Sequence, residues 1–127
     1  MATTAEVGRR GEDLAAKWLE ERGYRILDRN YRFGREEIDL VCFQPNEAND
    51  GGQIVVVEVK ARSGTGYGAP EASVDHAKQK AILRVTEAYL HERRLMPSPV
   101  RFDVIAIVFG AGEPEVEHFE YAFGPFV

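Results

Sequence analysis

Apolar and polar positions change period several times along the chain, and each change marks an element. From Ala5 to Arg22 the apolar residues Leu14, Ala15, Trp18 and Leu19 recur at helical spacing, with Arg10, Asp13, Lys17, Glu20 and Glu21 elsewhere around the turn. This predicts an amphipathic helix with a stop at Gly23. Tyr24 to Leu27 predicts a short strand, and Arg29 to Arg35 a strand end and turn closed by Gly34. Glu37–Phe43 and Gln53–Lys60 predict strands, the second a β-branched run with the character of a buried one. Between them, Gln44–Gly52 carries Pro45, Asn46, Asn49 and Asp50-Gly51-Gly52, the composition of a hairpin loop. Ser63–Pro70, with three glycines and a proline, predicts a loop. A second helix is expected from about Ser73 to Arg94, with Ala81, Ile82, Val85, Ala88 and Tyr89 inward and Pro97 and Pro99 closing the region. Arg101–Phe109 predicts a strand, with Glu115–Ala122 its hairpin partner across Gly110-Ala111-Gly112.

The resulting order is α-β-β-β-α-β-β. The passage from Lys60 through the second helix to Arg101 has the length of a crossover that makes two strands parallel. The expected fold is α/β, a mixed central sheet flanked by helices. At 127 residues it forms one domain, 1–127, without repeat or linker.

Three ionisable groups sit inside the most core-like segments. Asp39 lies in the first of the two hairpin strands, and Glu58 and Lys60 end the second. Side chains two apart on a strand share a face, so Glu58 and Lys60 point the same way. Burying charge is costly unless it is paired or holds a metal. Asp39 is near the start of one antiparallel strand and Glu58 near the end of the other, which brings both to one edge of the sheet. Two such carboxylates repel unless a positive charge stands between them. Mg²⁺ suits hard oxygen ligands, and the Val59 carbonyl could supply a third oxygen. Lys60 could then hold a phosphate oxygen or orient an attacking water. The plain alternative is a Glu58–Lys60 ion pair with Asp39 capping a turn, which leaves a mid-strand acid unexplained. Glu12 falls at the edge of the sheet-facing stripe of the first helix, where Gly8 one turn away leaves room for a close approach, and either joins this group or pairs with Arg9 or Arg29.

Composition is that of an ordinary globular protein, with 44% apolar and 29% charged residues. No apolar run approaches the ~20 residues of a membrane-spanning helix, and Met1–Arg10 lacks the apolar stretch of a signal peptide. Single Cys42 has no internal disulfide partner. These features fit a reducing cytoplasm, and a cytoplasmic location is the expectation. The net charge of −5 argues against indiscriminate nucleic-acid binding, but charge is uneven. Residues 1–35 hold eight Lys/Arg against six Asp/Glu, and residues 36–127 hold eight against fifteen. The basic excess leads directly into the Asp39 strand, which suits a selective phosphate ligand as well as a solvated surface.

Asp39 followed by Glu58-Val59-Lys60 resembles the PD-(D/E)xK motif of restriction-endonuclease-like nucleases, with Ile38 in place of the proline. A wider pattern resembles the bacterial YraN-like family. It comprises Gly8-Arg9-Arg10-Gly11-Glu12, Ala15, Leu19, Gly23-Tyr24, Asn30, Glu37-Ile38-Asp39-Leu40, Val57 to Ser63, Gly68-Ala69-Pro70 and Arg101-Phe102-Asp103-Val104. That family is similar to archaeal Holliday-junction resolvases. The resemblance covers nearly the whole chain and implies a restriction-endonuclease-like fold. It implies Asp39 and Glu58 as ligands of Mg²⁺ or Mn²⁺, Lys60 as catalytic lysine, and Glu12 as a helix-borne acid near the metal. It further implies branched DNA as substrate and a homodimer, since two opposed strands must be cut. The Gln44–Gly52 segment departs from the tighter hairpin expected, and it is acidic. A non-catalytic nucleic-acid-binding or protein-interaction module on the same fold is the competing reading.

Secondary candidates follow. Arg9, Arg32, Arg35, Arg62, Ser63 and Lys78 are candidate nucleic-acid contacts, while Lys80 and Arg84 read as a solvated helix face. Tyr67 could stack on a base. Trp18 and Phe102 are expected in the core, and His76, His91 and His118 lack metal-ligand spacing. Asp103 could brace an arginine. Glu113, Glu115, Glu117 and Glu120 make an acidic segment suited to a protein partner.

Overall fold

The computed structural model describes residues 3–46, 51–64 and 73–124. Helix α1 spans Thr4–Glu21, followed by β1 (Arg25–Phe33), β2 (Glu36–Asn46), β3 (Gly51–Ser63), α2 (His76–Glu92), β4 (Val100–Phe109) and β5 (Glu115–Phe123). The five strands form one sheet in sequence order, antiparallel except for the β3–β4 pair. The α2 crossover makes that pair parallel, as its length predicts. No helix among the described residues is long and apolar enough to cross a membrane.

Each helix covers one face of the sheet. Val7, Ala15, Ala16 and Leu19 of α1 pack on Leu40, Cys42, Val55, Val57, Ile105 and Ile107. Ile82, Val85, Tyr89 and Leu90 of α2 pack on Ile38, Val41, Ile54, Val56, Phe102 and Val104. β3 is buried on both faces from Ile54 to Val57, which explains its unbroken apolar run.

Local chemistry sets the ends of the helices. Thr3 Oγ1 accepts the Glu6 N–H at 3.1 Å, and Asp75 accepts the Lys78 N–H at 2.8 Å, both N-caps. Gly23, at φ +90°, ends α1 while the Tyr24 N–H returns to the Leu19 carbonyl at 3.1 Å.

Several boundaries differ from expectation. The two pieces foreseen between Tyr24 and Arg35 are one nine-residue strand plus a turn, because pairing with β2 carries the polar stretch. The Gln44–Gly52 loop is shorter, since Asn46 pairs with Gly51 and Pro45 with Gly52. Helix α2 begins at His76 because Asp75 caps it. In α1, Leu14 and Trp18 are only half-buried, and the close-approach glycine is Gly11 in place of Gly8. A Cβ on Gly11 would sit 2.3 Å from the Ala61 Cβ. Tyr67 and Gly68-Ala69-Pro70 lie outside the described residues.

Candidate metal centre

The centre forms where β2 and β3 cease to pair. Their ladder runs from Asn46–Gly51 to Leu40–Val57, and the next residues are Asp39 and Glu58. Asp39 replaces the lost ladder bond with its side chain, Oδ2 accepting the Val59 N–H at 2.8 Å. The N–H and C=O of one strand residue point to the same neighbour, so the Val59 carbonyl also turns toward β2. Side-chain alternation breaks at this point. Ile38 belongs to the α2 face and Leu40 to the α1 face, although residues two apart should share a face. Asp39 occupies the irregularity between them.

Acids reach Asp39 from three further positions. Glu12 of α1, Glu37 of β2 and Asp39 itself place one carboxylate oxygen each within 4.8 Å of the others. Asn30 of β1 holds two of them, donating from Nδ2 to Glu12 Oε1 and to Glu37 Oε1 at 2.9 Å each. The partner of Glu12 is therefore Asn30, while Arg29 bonds Asp13 at 2.6 Å. Burial raises Glu12 above the ordinary carboxylate range, against the opposing Asn30 bond.

Glu58 approaches Asp39 from β3. Burial, then the hydrogen bond and charge of Glu58, push Asp39 up to about 8. Glu58 Oε2 is itself buried and has no hydrogen-bond partner among the described residues. Lys78 Nζ stands 3.6 Å from it, within ion-pair range and beyond a normal hydrogen bond. A concentration of half-buried acids is one that a divalent cation would neutralise, and the donors are the hard oxygens such a cation takes.

The remaining predicted residues fall in different places. Lys60 has its ammonium bonded to the Ser73 carbonyl ahead of α2, so the cation facing Glu58 is Lys78. Arg32 is exposed and bonds Glu37 Oε2 at 2.9 Å. Arg35 is exposed in the β1–β2 turn, Ser63 is exposed at the end of β3, and Arg9 is exposed on α1. Arg62 and Lys60 line a cleft of about 390 Å³ at the C-terminal ends of β3 and β4, with Ala106 and Val108. Such a crevice beyond parallel strands is a common ligand position. Arg84, expected to be solvated, bonds Glu36 of β2.

Two participants were not foreseen. Glu37 carried a signal, lying two residues before Asp39 in a strand. Asn30 carried none in its residue type. Its role depends on φ +52° within β1, a backbone conformation that a strand pattern does not announce.

A second polar cluster lies on the α1 face. Arg101 and Asp103 are 4% and 0% exposed. Asp103 accepts Arg101 Nε at 2.8 Å and Nη2 at 2.7 Å, contacts His118 Nε2 at 2.7 Å, and accepts the Tyr121 N–H at 3.2 Å. Arg101 also bonds Tyr24 Oη at 2.7 Å and Gln44 Oε1 at 2.8 Å. Asp103 thus braces an arginine, as the sequence suggested. His118 is structural, with Trp18 edge-on to it at 5.3 Å. The mutual satisfaction of this cluster contrasts with the Glu58 Oε2 atom, which faces Lys78 without a hydrogen bond.

The description "Uncharacterised protein family UPF0102" belongs to a family model that matches residues 11–107. The chain belongs to this family. A UPF0102 protein of Anaeromyxobacter dehalogenans is 45% identical over 117 residues, covering 92% of this chain and 83% of the relative. One from Rhodococcus opacus is 44% identical, covering 97% of this chain and all of the relative. One from Bacteroides thetaiotaomicron is 40% identical, covering 98% of each. The YraN-like resemblance is borne out by this membership. Glu12, Asn30, Glu37, Asp39, Glu58, Lys60 and Lys78 all fall within the UPF0102 match, and Arg9 falls outside it.

Proposed function

We propose that this UPF0102 protein is a metal-dependent endonuclease that hydrolyses phosphodiester bonds in branched or otherwise structured DNA. The observation that carries the reading is the half-buried Asp39 carboxyl at the end of the β2–β3 ladder, with acids of α1, β2 and β3 around it. The buried Glu58 Oε2, which has no hydrogen bond, and the clustered carboxylate oxygens fit Mg²⁺ or Mn²⁺. Asp39 and Glu58 would hold the ion, with the Val59 carbonyl turned to the same side and Glu12 and Glu37 at its flank. Such an ion, when bound, neutralises charge on phosphorus and lowers the pKa of a water.

The chain's own residues supply the rest. Asn30 fixes Glu12 and Glu37, so that α1 and β2 present their acids together. Lys78 balances Glu58. Lys60 gives one of its three N–H donors to the Ser73 carbonyl, which leaves two for a phosphate oxygen. The cleft beside Lys60 and Arg62 gives the neighbouring phosphate a basic wall. Cutting two opposed strands requires a second copy, and we assign the pair to the cytoplasm.

The engagement of Lys60 by Ser73 also suits the competing reading, a catalytically inactive nucleic-acid-binding or protein-interaction module. One experiment separates the two. Four-way junction, flap, linear duplex and single-stranded DNA and RNA are incubated with Mg²⁺ or Mn²⁺, comparing wild type with Lys60→Ala. A metal-dependent product absent from the variant, with binding retained, supports the endonuclease. No product on any substrate, and no metal uptake by calorimetry, supports the module.

A further inference from the structure

The tip of the β1–β2 hairpin carries an aromatic ring that the core does not use. Phe33 is 55% exposed, at the last position of β1. A single exposed apolar residue needs no explanation. This one stands between Arg32 and Arg35 in the chain, at the strand end just before the Gly34 turn, where φ is +64°.

The tip is also joined to the acidic centre. Arg32 pairs with Glu37 across the ladder and bonds its Oε2, while Glu37 belongs to the carboxylate group around Asp39. Phe33 pairs one step further out, with Glu36. Three residues of strand separate Glu36 from Asp39, ~10 Å at the usual rise. Glu36 is bonded by Arg84 of α2, and Lys78 of the same helix faces Glu58, so each of these cations stands against an acid. An exposed ring with exposed arginines close along the chain on either side suits a nucleic-acid strand. The ring takes a base face and the cations take the backbone. A base within a continuous duplex stack offers its edges, whereas an unpaired base offers its face.

We propose that Phe33 is a stacking platform for an unpaired base, flanked by Arg32 and Arg35 on the phosphates, and that it makes the protein prefer single-stranded or branched DNA over continuous duplex. The proposal rests on the nucleic-acid reading given above and adds the feature that selects the substrate.

The test measures binding by fluorescence anisotropy in the Lys60→Ala background, so that the DNA stays intact. Phe33→Ala and Phe33→Trp are each compared on single strand, four-way junction and duplex, with thermal melts of both variants. An oligonucleotide carrying 2-aminopurine reports stacking directly. Phe33→Ala is expected to weaken single-strand and junction binding about tenfold while duplex binding stays within about twofold, and Phe33→Trp to restore it. The 2-aminopurine quench should vanish with Phe33→Ala and return with Phe33→Trp. Unchanged affinity for all three DNAs, or an equal loss on all three, overturns the proposal and leaves the nuclease reading standing. Absence of binding to any DNA by the Phe33-containing protein overturns both.

Discussion

Asn30 concentrates much of the centre's geometry in one side chain. Its φ of +52° is a conformation that asparagine tolerates better than most residues, and its amide holds Glu12 and Glu37 together. Two substitutions separate these roles. Asn30→Gly keeps the backbone relaxed and removes the clamp, whereas Asn30→Ala removes the clamp and adds about 1 kcal/mol of backbone strain. We expect both to weaken Mn²⁺ binding about tenfold, the usual effect of losing a group that orients ligands. Calorimetry reads the affinity and thermal melts read the strain. Equal Mn²⁺ affinity in wild type and Asn30→Gly would remove Asn30 from the centre. Cys42 gives a contrasting case. Burial pushes its thiol up to about 12, so it should resist thiol reagents in the native state and react at the rate the protein unfolds. Labelling followed across denaturant concentrations checks this, and prompt reaction in buffer would contradict the buried position. The sequence made Cys42 legible because it sits inside an apolar run. Asn30 was hidden because a positive φ within a strand is set by partners across the sheet.

At the scale of elements, α1 and β3 meet at a single close approach. Gly11 is buried, and an added Cβ would lie 2.3 Å from that of Ala61. Exposed helical glycine replaced by alanine gains about 1 kcal/mol of propensity. Overpacking a tight contact costs about 1–3 kcal/mol, so the clash should win and Gly11→Ala should destabilise. The control is Ala61→Gly, which removes the obstructing methyl. In the double variant the helix preference should reappear and stability should recover, as measured by urea denaturation. Additive losses would show that Gly11 serves something other than this approach. The contact also bears on the centre, because Glu12 follows Gly11 and moves with it. Periodicity located α1 and its inner face well, since burial of Ala15 and Leu19 follows directly from helical spacing. It misplaced the close-approach glycine because Gly8 and Gly11 both border the stripe, and only the path of β3 decides between them. The same limit shows in β1, where pairing with β2 carries nine residues of strand through a polar stretch that alternation alone does not identify.

Across the whole molecule, two polar clusters are built on opposite principles. Around Asp39, acids are gathered with too little positive charge. Around Asp103, the carboxylate meets donors and Arg101 meets acceptors, and the bonds tie β4 to β2, to β5 and to Tyr24 just ahead of β1. Burial alone would raise the Asp103 carboxyl, but His118, Arg101 and the Tyr121 N–H together hold it below its ordinary value of 3.8. A carboxylate whose folded pKa is depressed stabilises the protein above its unfolded pKa, and that contribution is lost as pH falls through the folded value. The Asp103 cluster therefore acts fully above about pH 4 and fails in stronger acid. Asp103→Asn tests this. Near neutral pH it leaves the Arg101 charge buried without its counter-ion, at a cost of about 3–5 kcal/mol. In acid, wild-type Asp103 also loses its charge, so the gap between the two proteins should narrow as pH drops below 4. Denaturant unfolding at pH 7 and pH 3 measures the gap at both ends. A constant gap would mean that Asp103 contributes shape and hydrogen bonding without its charge. A narrowing gap would establish the cluster as an electrostatic lock that joins β2, β4 and β5 to the start of β1. That lock leaves the Asp39 end free to carry its concentration of acid.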